Sequence, residues 1–264
     1  VDEIWADQLP RNIKHGNLHY LLELPGAYRD ILREYADSKD YDVFHVNQGH
    51  SYLAAIDHQR SNRKGVFVCR SHGLDDHMEK VLKPWRARLG ISSRRGLKAV
   101  VGKIIDPLLF RHDRLAYRHS SGVIVSSSVD RDYLRNSMHV PADRIARIPQ
   151  APATAFVKTP APEMTSARLC KILHVGGFAY WKGVHAVAEA VNVLCKPETP
   201  FTMTWLCRSE EHDMVRSLLS EEVRQRVNLV GWVSQEELIR IYDEHGIFLS
   251  PSLFDGFNKV FLEA

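Results

Sequence analysis

The sequence predicts an α/β protein built from two doubly wound, Rossmann-like domains. Along its 264 residues, short β-branched and apolar runs alternate with longer stretches of helical periodicity, a pattern typical of parallel sheets flanked by helices. The segment PQAPATAFVKTPAPEMTSA, rich in Pro, Ala and Thr, separates the halves near residues 150–168 and indicates a linker. A chain of this length has room for two cores. We therefore expect an N-terminal domain over residues 1–160 and a C-terminal domain over residues 161–264.

Four strands and two helices are predicted in the first half. The strands are 42–46, 65–69, 122–126 and 144–148, and the helices are 20–35 and 98–109. This half opens on a helix-rich segment instead of a strand followed by a glycine-rich turn. At the other end of the chain, a final helix begins near Lys259 and has barely one turn before Ala264. We therefore expect a fragment of a longer protein that lacks both ends.

The second half repeats the alternation of strands and helices. The predicted strands are 171–175, 202–207, 227–230 and 247–250, and the helices are 184–194 and 234–242. Ser234, with Glu237 three residues later, predicts a capping box at the start of the last of these helices. In such folds ligands bind at the carboxyl ends of the strands, so we expect the site in the cleft between the two domains.

Composition excludes several classes of protein. The chain is 44% hydrophobic and 25% charged, which is ordinary for a globular protein, and no run approaches the roughly 18 apolar residues of a membrane span. The N-terminal VDEIWADQLP is neither a signal sequence nor a transit peptide, so we expect a cytoplasmic protein. The 4 cysteines have no zinc-ligand spacing and are expected to be reduced and buried. The 14 histidines include no HExxH, so no metal site is predicted. No other cofactor is expected.

Positive charge is concentrated in the first half. Residues 60–118 contain 15 Lys and Arg against 5 Asp and Glu. Within residues 91–111, apolar side chains recur at helical spacing beside basic ones, which fits an interfacial helix on an anionic membrane surface. A helix packed on its own core with a solvated basic rim fits equally well. Nucleic acid is not an expected partner, because this region lacks interleaved aromatic residues and any known module.

A candidate anion site lies in HVGGFAYWKGV, residues 174–184. The glycines Gly176 and Gly177 follow a strand and precede a helix, where backbone N–H groups and the helix N-terminus attract phosphate, and Lys182 adds a full positive charge. The spacing matches neither GxGxxG nor the Walker motif. The alternative is a tight turn with a solvated lysine.

Two carboxylates mark the closing stretch PSLFDGFNKVFLEA. Asp255 follows a strand and Glu263 falls on the next helix, positions suited to accept hydrogen bonds from vicinal hydroxyls. An Asp-Gly turn followed by a solvated glutamate is the alternative. In FVCRSHG, His72 follows another strand and would face the cleft, although a structural histidine is the commoner case. Neither Asp75-Asp76 nor Asp40 with Asp42 has the placement expected of a metal site.

Taken together, these motifs resemble the retaining glycosyltransferases of family 4, which have the two-domain GT-B fold. The resemblance is carried, in the family's order over most of residues 40–264, by DYDVFHVN, FVCRSHG, GVIVSSSVDRDYL, RIARIPQAPATAF, ILHVGGFAYWKGV, VNLVGWVSQEELIRIYDEHGIFLSPS and LFDGFNKVFLEA. It implies two Rossmann-like domains facing across a cleft, with a nucleotide-sugar donor bound by the second domain and the acceptor by the first.

The resemblance also implies roles for individual residues. Lys182 matches the lysine that binds the donor diphosphate, Asp255 and Glu263 match the acids that contact the donor sugar and the ribose, and His72 matches the histidine beside the transferred sugar. The further donor-binding candidates are Gly176, Gly177, Arg208, Ser252, Gly256 and Phe257.

The chain departs from the family pattern in three places. Asp255 stands where the family normally has Glu, Gly177 where an arginine is common, and Asn258 where a glycine is usual. Arg208 is the candidate to replace the missing cation. Asn258 would restrict a turn that often needs a positive φ.

The implied reaction is metal-independent transfer of a sugar from a nucleotide diphosphate to an acceptor hydroxyl, with retention of configuration. No carboxylate suited to be a protein nucleophile is evident, and the resemblance implies same-face attack, with the leaving phosphate taking the acceptor's proton. The acceptor would be a glycan or a lipid-linked molecule. The alternatives are a non-catalytic relative that retains nucleotide binding and a GT-B sugar-nucleotide epimerase.

Overall fold

The computed structural model describes residues 3, 9, 11–14, 16–47, 49–91 and 97–264, with the backbone alone at residues 97–99. The contacts divide the chain into two compact units, Val1–Pro149 and Gln150–Ala264. The division falls at the start of the predicted linker. That segment contains two short helices, Thr154–Lys158 and Ser166–Leu169, which its composition did not predict.

The described elements alternate between strand and helix throughout. The strands are β1 (Val43–Asn47), β2 (Val66–Arg70), β3 (Gly122–Val125), β4 (Ile145–Arg147), β5 (Lys171–Val175), β6 (Thr202–Leu206), β7 (Val227–Val230) and β8 (Ile247–Phe248). The α-helices are α1 (Gly16–Leu18), α2 (Leu24–Ser38), α3 (Tyr52–Arg60), α4 (Asp75–Arg88), α5 (Leu97–His119), α6 (Ser128–Asn136), α7 (Thr154–Lys158), α8 (Ser166–Leu169), α9 (Val184–Leu194), α10 (His212–Leu218), α11 (Glu221–Arg224), α12 (Gln235–Glu244) and α13 (Val260–Glu263). The predicted α/β fold class is confirmed.

The first unit has a parallel sheet whose strand order, β1-β2-β3-β4, follows the order of the chain. Its core forms because alternate residues of the strands point at the helices, and it contains Phe44, Phe67, Val123 and Leu134, all buried. The predicted helix 98–109 continues to His119, passing through Pro107. Helix α5 is therefore about twice as long as expected.

The second unit has a parallel sheet with the order β7-β6-β5-β8. Strand β5 contributes to a core on each face of this sheet, with Ile172 on one face and Leu173 and Val175 on the other. The side chains of Leu173, Met203 and Trp205 are fully buried. Ser234 caps α12 by accepting a hydrogen bond from Glu237 N–H at 3.2 Å, which confirms one half of the predicted capping box.

The cysteines are free thiols. Cys69 and Cys207 are buried as expected, and burial raises the pKa of the Cys207 thiol to about 11. Cys170 and Cys195 are only partly buried, so the expectation of full burial is wrong for these two. Both lie at the end of a helix, where solvent reaches one side.

Candidate functional site

The strand order of the second sheet reverses between β5 and β8. The chain runs from β5 outward through β6 to β7 and then returns to add β8 on the opposite side of β5. The loops that leave the carboxyl ends of β5 and β8 therefore diverge, and the crevice between them is the usual ligand position in open α/β sheets. The glycine turn after β5 and the closing stretch after β8 are the loops in question.

The glycine turn leads through a short 3-10 helix into α9. Gly176 N–H donates to the Leu206 carbonyl at 3.0 Å, which extends the sheet by one bond before the chain turns away. Gly183, at φ +76°, starts α9 in the left-handed region, and a Cβ added there would lie 2.0 Å from the Pro251 carbonyl oxygen. Only glycine lets the two loops approach so closely at this point.

The loop after β8 lies against the glycine turn. Leu253 N–H donates to the Trp181 carbonyl at 2.8 Å, and Asn258 Nδ2 donates to Ser250 Oγ at 3.1 Å. Asn258 does not have a positive φ, which among the described non-glycine residues occurs at Asn62 and His139 alone. The expectation that Asn258 restricts this turn is therefore wrong, because the residue does not need a positive φ here. Its side chain instead stabilises the loop. Of the other candidates in this loop, Gly256 is buried and Ser252 and Phe257 are partly buried.

Lys182 and Asp255 form an ion pair between the two loops. Nζ of Lys182 lies 2.5 Å from Oδ2 of Asp255, and the two side chains are 32% and 22% exposed. The sequence identified both residues as candidates but did not predict that they contact each other. Their separation of 73 residues is closed by the return of the chain to β8.

The loop after β6 contributes a carboxylate that sequence reasoning missed. Oε2 of Glu211 accepts hydrogen bonds from Phe178 N–H at 2.9 Å and from Arg208 N–H at 3.3 Å. The side chain of Arg208, the proposed substitute cation, is exposed. Glu211 was detectable in principle, since it follows the strand beside β5 and carboxyl ends of parallel strands meet at one edge.

His174 lies beneath the glycine turn and was also missed. The ring is buried, its Nδ1 lies 2.7 Å from the Leu249 carbonyl, and it meets the Trp205 ring edge-on at 4.9 Å. Because the carbonyl can only accept, Nδ1 carries the proton and Nε2 is a bare acceptor with no partner in the described structure. Burial lowers the pKa of His174, and the nearby charge of Lys182 acts in the same direction.

Glu263 lies on α13 against the hydroxyl of Tyr242. Burial, the Glu263 charge and a hydrogen bond between the two side chains raise the pKa of Tyr242 well above its usual value. Together with Phe156 and Ala264, both residues line an open pocket. The structure thus places Lys182 with Asp255, and Glu263 with Tyr242.

His72 belongs to the first unit and follows β2 by two residues, as predicted. Its side chain is exposed. Partial desolvation lowers the pKa of His72, and the charges of Arg70 and His45 lower it further. The imidazole is therefore neutral at physiological pH and can both donate and accept a hydrogen bond.

Helix α5 exposes an apolar stripe. Val100, Ile104 and Leu108, four residues apart, are 56%, 64% and 39% exposed, while Ile105 packs into the unit. Lys103 is exposed beside them. Helix α5 therefore packs one face on its own core and exposes an apolar row on another. Of the basic residues predicted to flank it, Arg94 and Arg95 lie outside the described residues, and Lys98 is described by its backbone alone.

Within the described part of the chain, no helix is long and apolar enough to cross a membrane. No cluster of three or more His, Cys, Asp or Glu side chains in that part is arranged to hold a metal ion.

Comparisons with known protein families find a glycosyltransferase model for each half of the chain. The model of Glycosyltransferase Family 4 matches residues 4–152, and that of Glycosyl transferases group 1 matches residues 170–264. No curated protein sequence matches the chain.

Solved glycosyltransferases share the fold. A lipopolysaccharide outer core galactosyltransferase, WaaB, in its apo form superposes with a TM-score of 0.63 at 15% identity, over 96% of this chain and 60% of its own. A UDP-forming α,α-trehalose-phosphate synthase from Burkholderia xenovorans, in complex with glucose-6-phosphate, gives 0.62 at 14% identity over 98% and 62%. The catalytic domain of starch synthase IV from Arabidopsis thaliana, bound to ADP and acarbose, gives 0.58 at 13% identity over 96% and 61%. The chain thus spans about three fifths of the length of these structures.

Proposed function

Because the chain belongs to glycosyltransferase family 4, we propose that it transfers a sugar from a nucleotide-diphosphate donor to an acceptor hydroxyl, with retention of configuration and without a metal ion. The observation that carries this proposal is the Lys182–Asp255 pair at the point where the strand order of the second sheet reverses. A cation and a carboxylate at such a crevice suit a ligand that has both an anionic group and hydroxyls.

When the donor binds, it replaces the contact between Lys182 and Asp255 with its own contacts to each side chain. The diphosphate takes over the ammonium of Lys182, and Asp255 is then free to accept a hydrogen bond from a hydroxyl of the donor sugar. The N-terminus of α9, which begins one residue after Gly183, adds partial positive charge at the same place. These groups stabilise the charge that grows on the leaving diphosphate, which is the role that a metal ion has in other transferases.

The retaining outcome is assigned to same-face attack. As the glycosidic bond to the diphosphate breaks, the acceptor oxygen bonds to the anomeric carbon from the same side. The leaving phosphate oxygen takes the acceptor's proton. Asp255 is proposed as a contact of the donor sugar and not as a nucleophile, because same-face attack needs no covalent intermediate on the protein. His72, neutral because its pKa is lowered, is proposed to hydrogen-bond the transferred sugar.

The acceptor is proposed to be a glycan or a lipid-linked molecule bound by the first unit. The apolar stripe of α5 supports a lipid-linked one, because an exposed apolar row beside Lys103 suits the interface of an anionic membrane. Under this proposal the protein works at the cytoplasmic face of that membrane. If the acceptor is a glycan, the apolar stripe has no role in binding a membrane.

A non-catalytic relative that only binds nucleotide is the second candidate. Two features favour it. Gly177 stands where an arginine is common, so that Lys182 is the one cation within the described residues that is paired at this crevice. Asp255 is one methylene shorter than the usual glutamate. A displacement of about 1 Å in a reacting geometry reduces rates by on the order of a hundredfold. A sugar-nucleotide epimerase is the third.

Calorimetric titration of the full-length protein with UDP and with GDP tests the shared premise of these candidates. The proposed function predicts saturable binding of at least one of them, in the presence of EDTA as well as without it. Binding followed by no turnover with any sugar nucleotide would favour the non-catalytic relative. Failure to bind either nucleotide would contradict both the proposed transferase and the non-catalytic relative.

A further inference from the structure

Glu211 connects the loop after β6 to the glycine turn after β5. Its Oε2 accepts from the backbone N–H of Phe178 at 2.9 Å and from that of Arg208 at 3.3 Å. A charged acceptor that binds two backbone N–H groups holds them more firmly than a neutral one would. One carboxylate oxygen thus holds two loops at fixed separation, at the sheet edge where the donor is proposed to bind.

Gly177 provides the space for this carboxylate. A Cβ added to Gly177 would lie 3.4 Å from Oε2 and 3.6 Å from Oε1 of Glu211. Contacts at 3.4 Å and above are ordinary van der Waals contacts, so alanine fits there, but the rest of a longer side chain would have to grow past the carboxylate. The absence of a side chain at residue 177 and the presence of Glu211 are therefore two parts of one local arrangement.

A series of hydrogen bonds leads from Glu211 to Lys182. Phe178 is held by the carboxylate, the neighbouring Gly177 carbonyl accepts from Ala179 N–H at 2.8 Å, and the Ala179 carbonyl accepts from Lys182 N–H at 2.9 Å. The backbone of Lys182 is thereby fixed relative to the loop after β6. Beyond this backbone, the lysine side chain is bound by Asp255.

We propose that Glu211 is a positioning residue that holds the glycine turn, and through it Lys182, in the geometry that receives the donor diphosphate. The inference rests on the proposed function. Glu211 acts by accepting the Phe178 N–H bond and not by touching the ligand. The required property is therefore an acceptor oxygen at this place, and the negative charge is not essential.

Three variants of the full-length protein separate geometry from charge. Glu211→Ala removes the acceptor, whereas Glu211→Gln keeps a carbonyl oxygen in reach of Phe178 N–H and removes the charge. Glu210→Ala is the matched control, because Glu210 is the adjacent, exposed glutamate of the same short helix. Two quantities are measured for each variant: the affinity for UDP and GDP by calorimetry, and the hydrogen-exchange rate of the Phe178 amide.

The proposal predicts that Glu211→Ala weakens nucleoside diphosphate binding by about tenfold, because the glycine turn loses the charge-assisted bond at Phe178 N–H that fixes it. Glu211→Gln is expected to stay within about threefold of the wild type, since one neutral bond replaces a charged one. Glu210→Ala should equal the wild type. The Phe178 amide should exchange faster in Glu211→Ala than in Glu211→Gln.

Three results would overturn the inference while leaving the proposed function intact. The first is wild-type affinity in Glu211→Ala. The second is an equal loss of affinity in Glu211→Gln and Glu211→Ala, and the third is tighter binding in both, since either would show that charge and not position matters. If the wild type binds neither UDP nor GDP, the proposed function fails and the donor role of Glu211 fails with it. The exchange rate of Phe178 then reports only whether the contact exists.

Discussion

Nζ of Lys182 lies 2.5 Å from Oδ2 of Asp255, so the two side chains proposed to hold the donor are paired with each other. Both are partly exposed, which screens their interaction and keeps it weak enough to exchange. Because the two residues are proposed to contact different parts of the donor, mutation can separate their roles.

Lys182→Ala is expected to reduce the rate of sugar transfer more than the affinity for nucleotide. The ammonium meets the diphosphate most strongly when charge develops on it, so the rate should fall by about 10²–10³. Affinity for UDP or GDP should fall by only about tenfold. Steady-state kinetics and calorimetry on the same preparation measure both. Lys259→Ala is the control, since Lys259 is exposed and lies four residues after Asp255. Equal rates in the two variants would count against the assignment.

Glu263→Ala is expected to weaken nucleotide affinity by about tenfold, because the carboxylate is proposed to hold the ribose hydroxyls. In the structure this carboxylate is bound by Tyr242, so Tyr242→Phe provides the control. It removes the partner hydroxyl and leaves Glu263 in place, and binding should be retained. Calorimetry with UDP and GDP gives both values. Loss of affinity in Tyr242→Phe alone would indicate that the pair is structural.

Gly183→Ala is expected to destabilise the second unit by more than about 2 kcal/mol. The substitution adds a Cβ at φ +76°, 2.0 Å from the Pro251 carbonyl oxygen. Gly90→Ala is the matched control, because Gly90 also has a positive φ, +64°, but nothing lies within 4 Å of an added Cβ. It should lose only about 1 kcal/mol. Denaturant unfolding measures both, and equal losses would mean that the close approach of the two loops is not rigid.

The stability of the second unit is expected to fall as the pH drops below about 6.5, the usual value for histidine. Burial lowers the pKa of His174 in the folded state, so the unfolded chain binds its proton first and acid favours unfolding. His174→Asn removes this titration and keeps a donor for the Leu249 carbonyl. Unfolding free energies at several pH values should therefore fall less steeply in this variant. An unchanged slope would contradict a buried, neutral His174.

The apolar stripe of α5 is expected to bind vesicles that contain anionic lipid. Replacing Val100 and Ile104 by Glu should reduce binding by at least about tenfold, because each substitution removes an apolar contact and adds repulsion. Val193→Glu is the control, since Val193 is 65% exposed on α9 in the other unit. Vesicle sedimentation at low and high salt is the measurement. Equal binding of all variants would assign the stripe another role.

The sequence was most informative where local pattern decides the structure. The bounds of β5, β7 and α9 agree with prediction to the residue, because each is an apolar run ended by glycine, proline or polar residues. Helices α3 and α4 were missed, since the polar and charged residues within them weaken the apolar periodicity.

The long-range contacts of the site were harder to predict from the sequence. The residues of the Lys182–Asp255 pair were identified by resemblance, yet their contact follows from the strand order, which local periodicity does not encode. The Glu211–Phe178 bond spans 33 residues and depends on how closely two loops approach. The sequence feature that indicates it is an acid, Glu211, shortly after β6. This feature can be interpreted only once β6 is known to lie beside β5.

The central claim is transfer from a nucleotide sugar with retention of configuration, and proton NMR of the reaction tests it most directly. The full-length protein is incubated with a panel of UDP- and GDP-sugars and candidate acceptors in excess EDTA, and the anomeric signals of donor and product are followed. We expect at least one donor to be consumed and its sugar to appear in the product with the donor's anomeric configuration. A product of inverted configuration, or donors that all persist unchanged in spite of nucleotide binding, would contradict the claim.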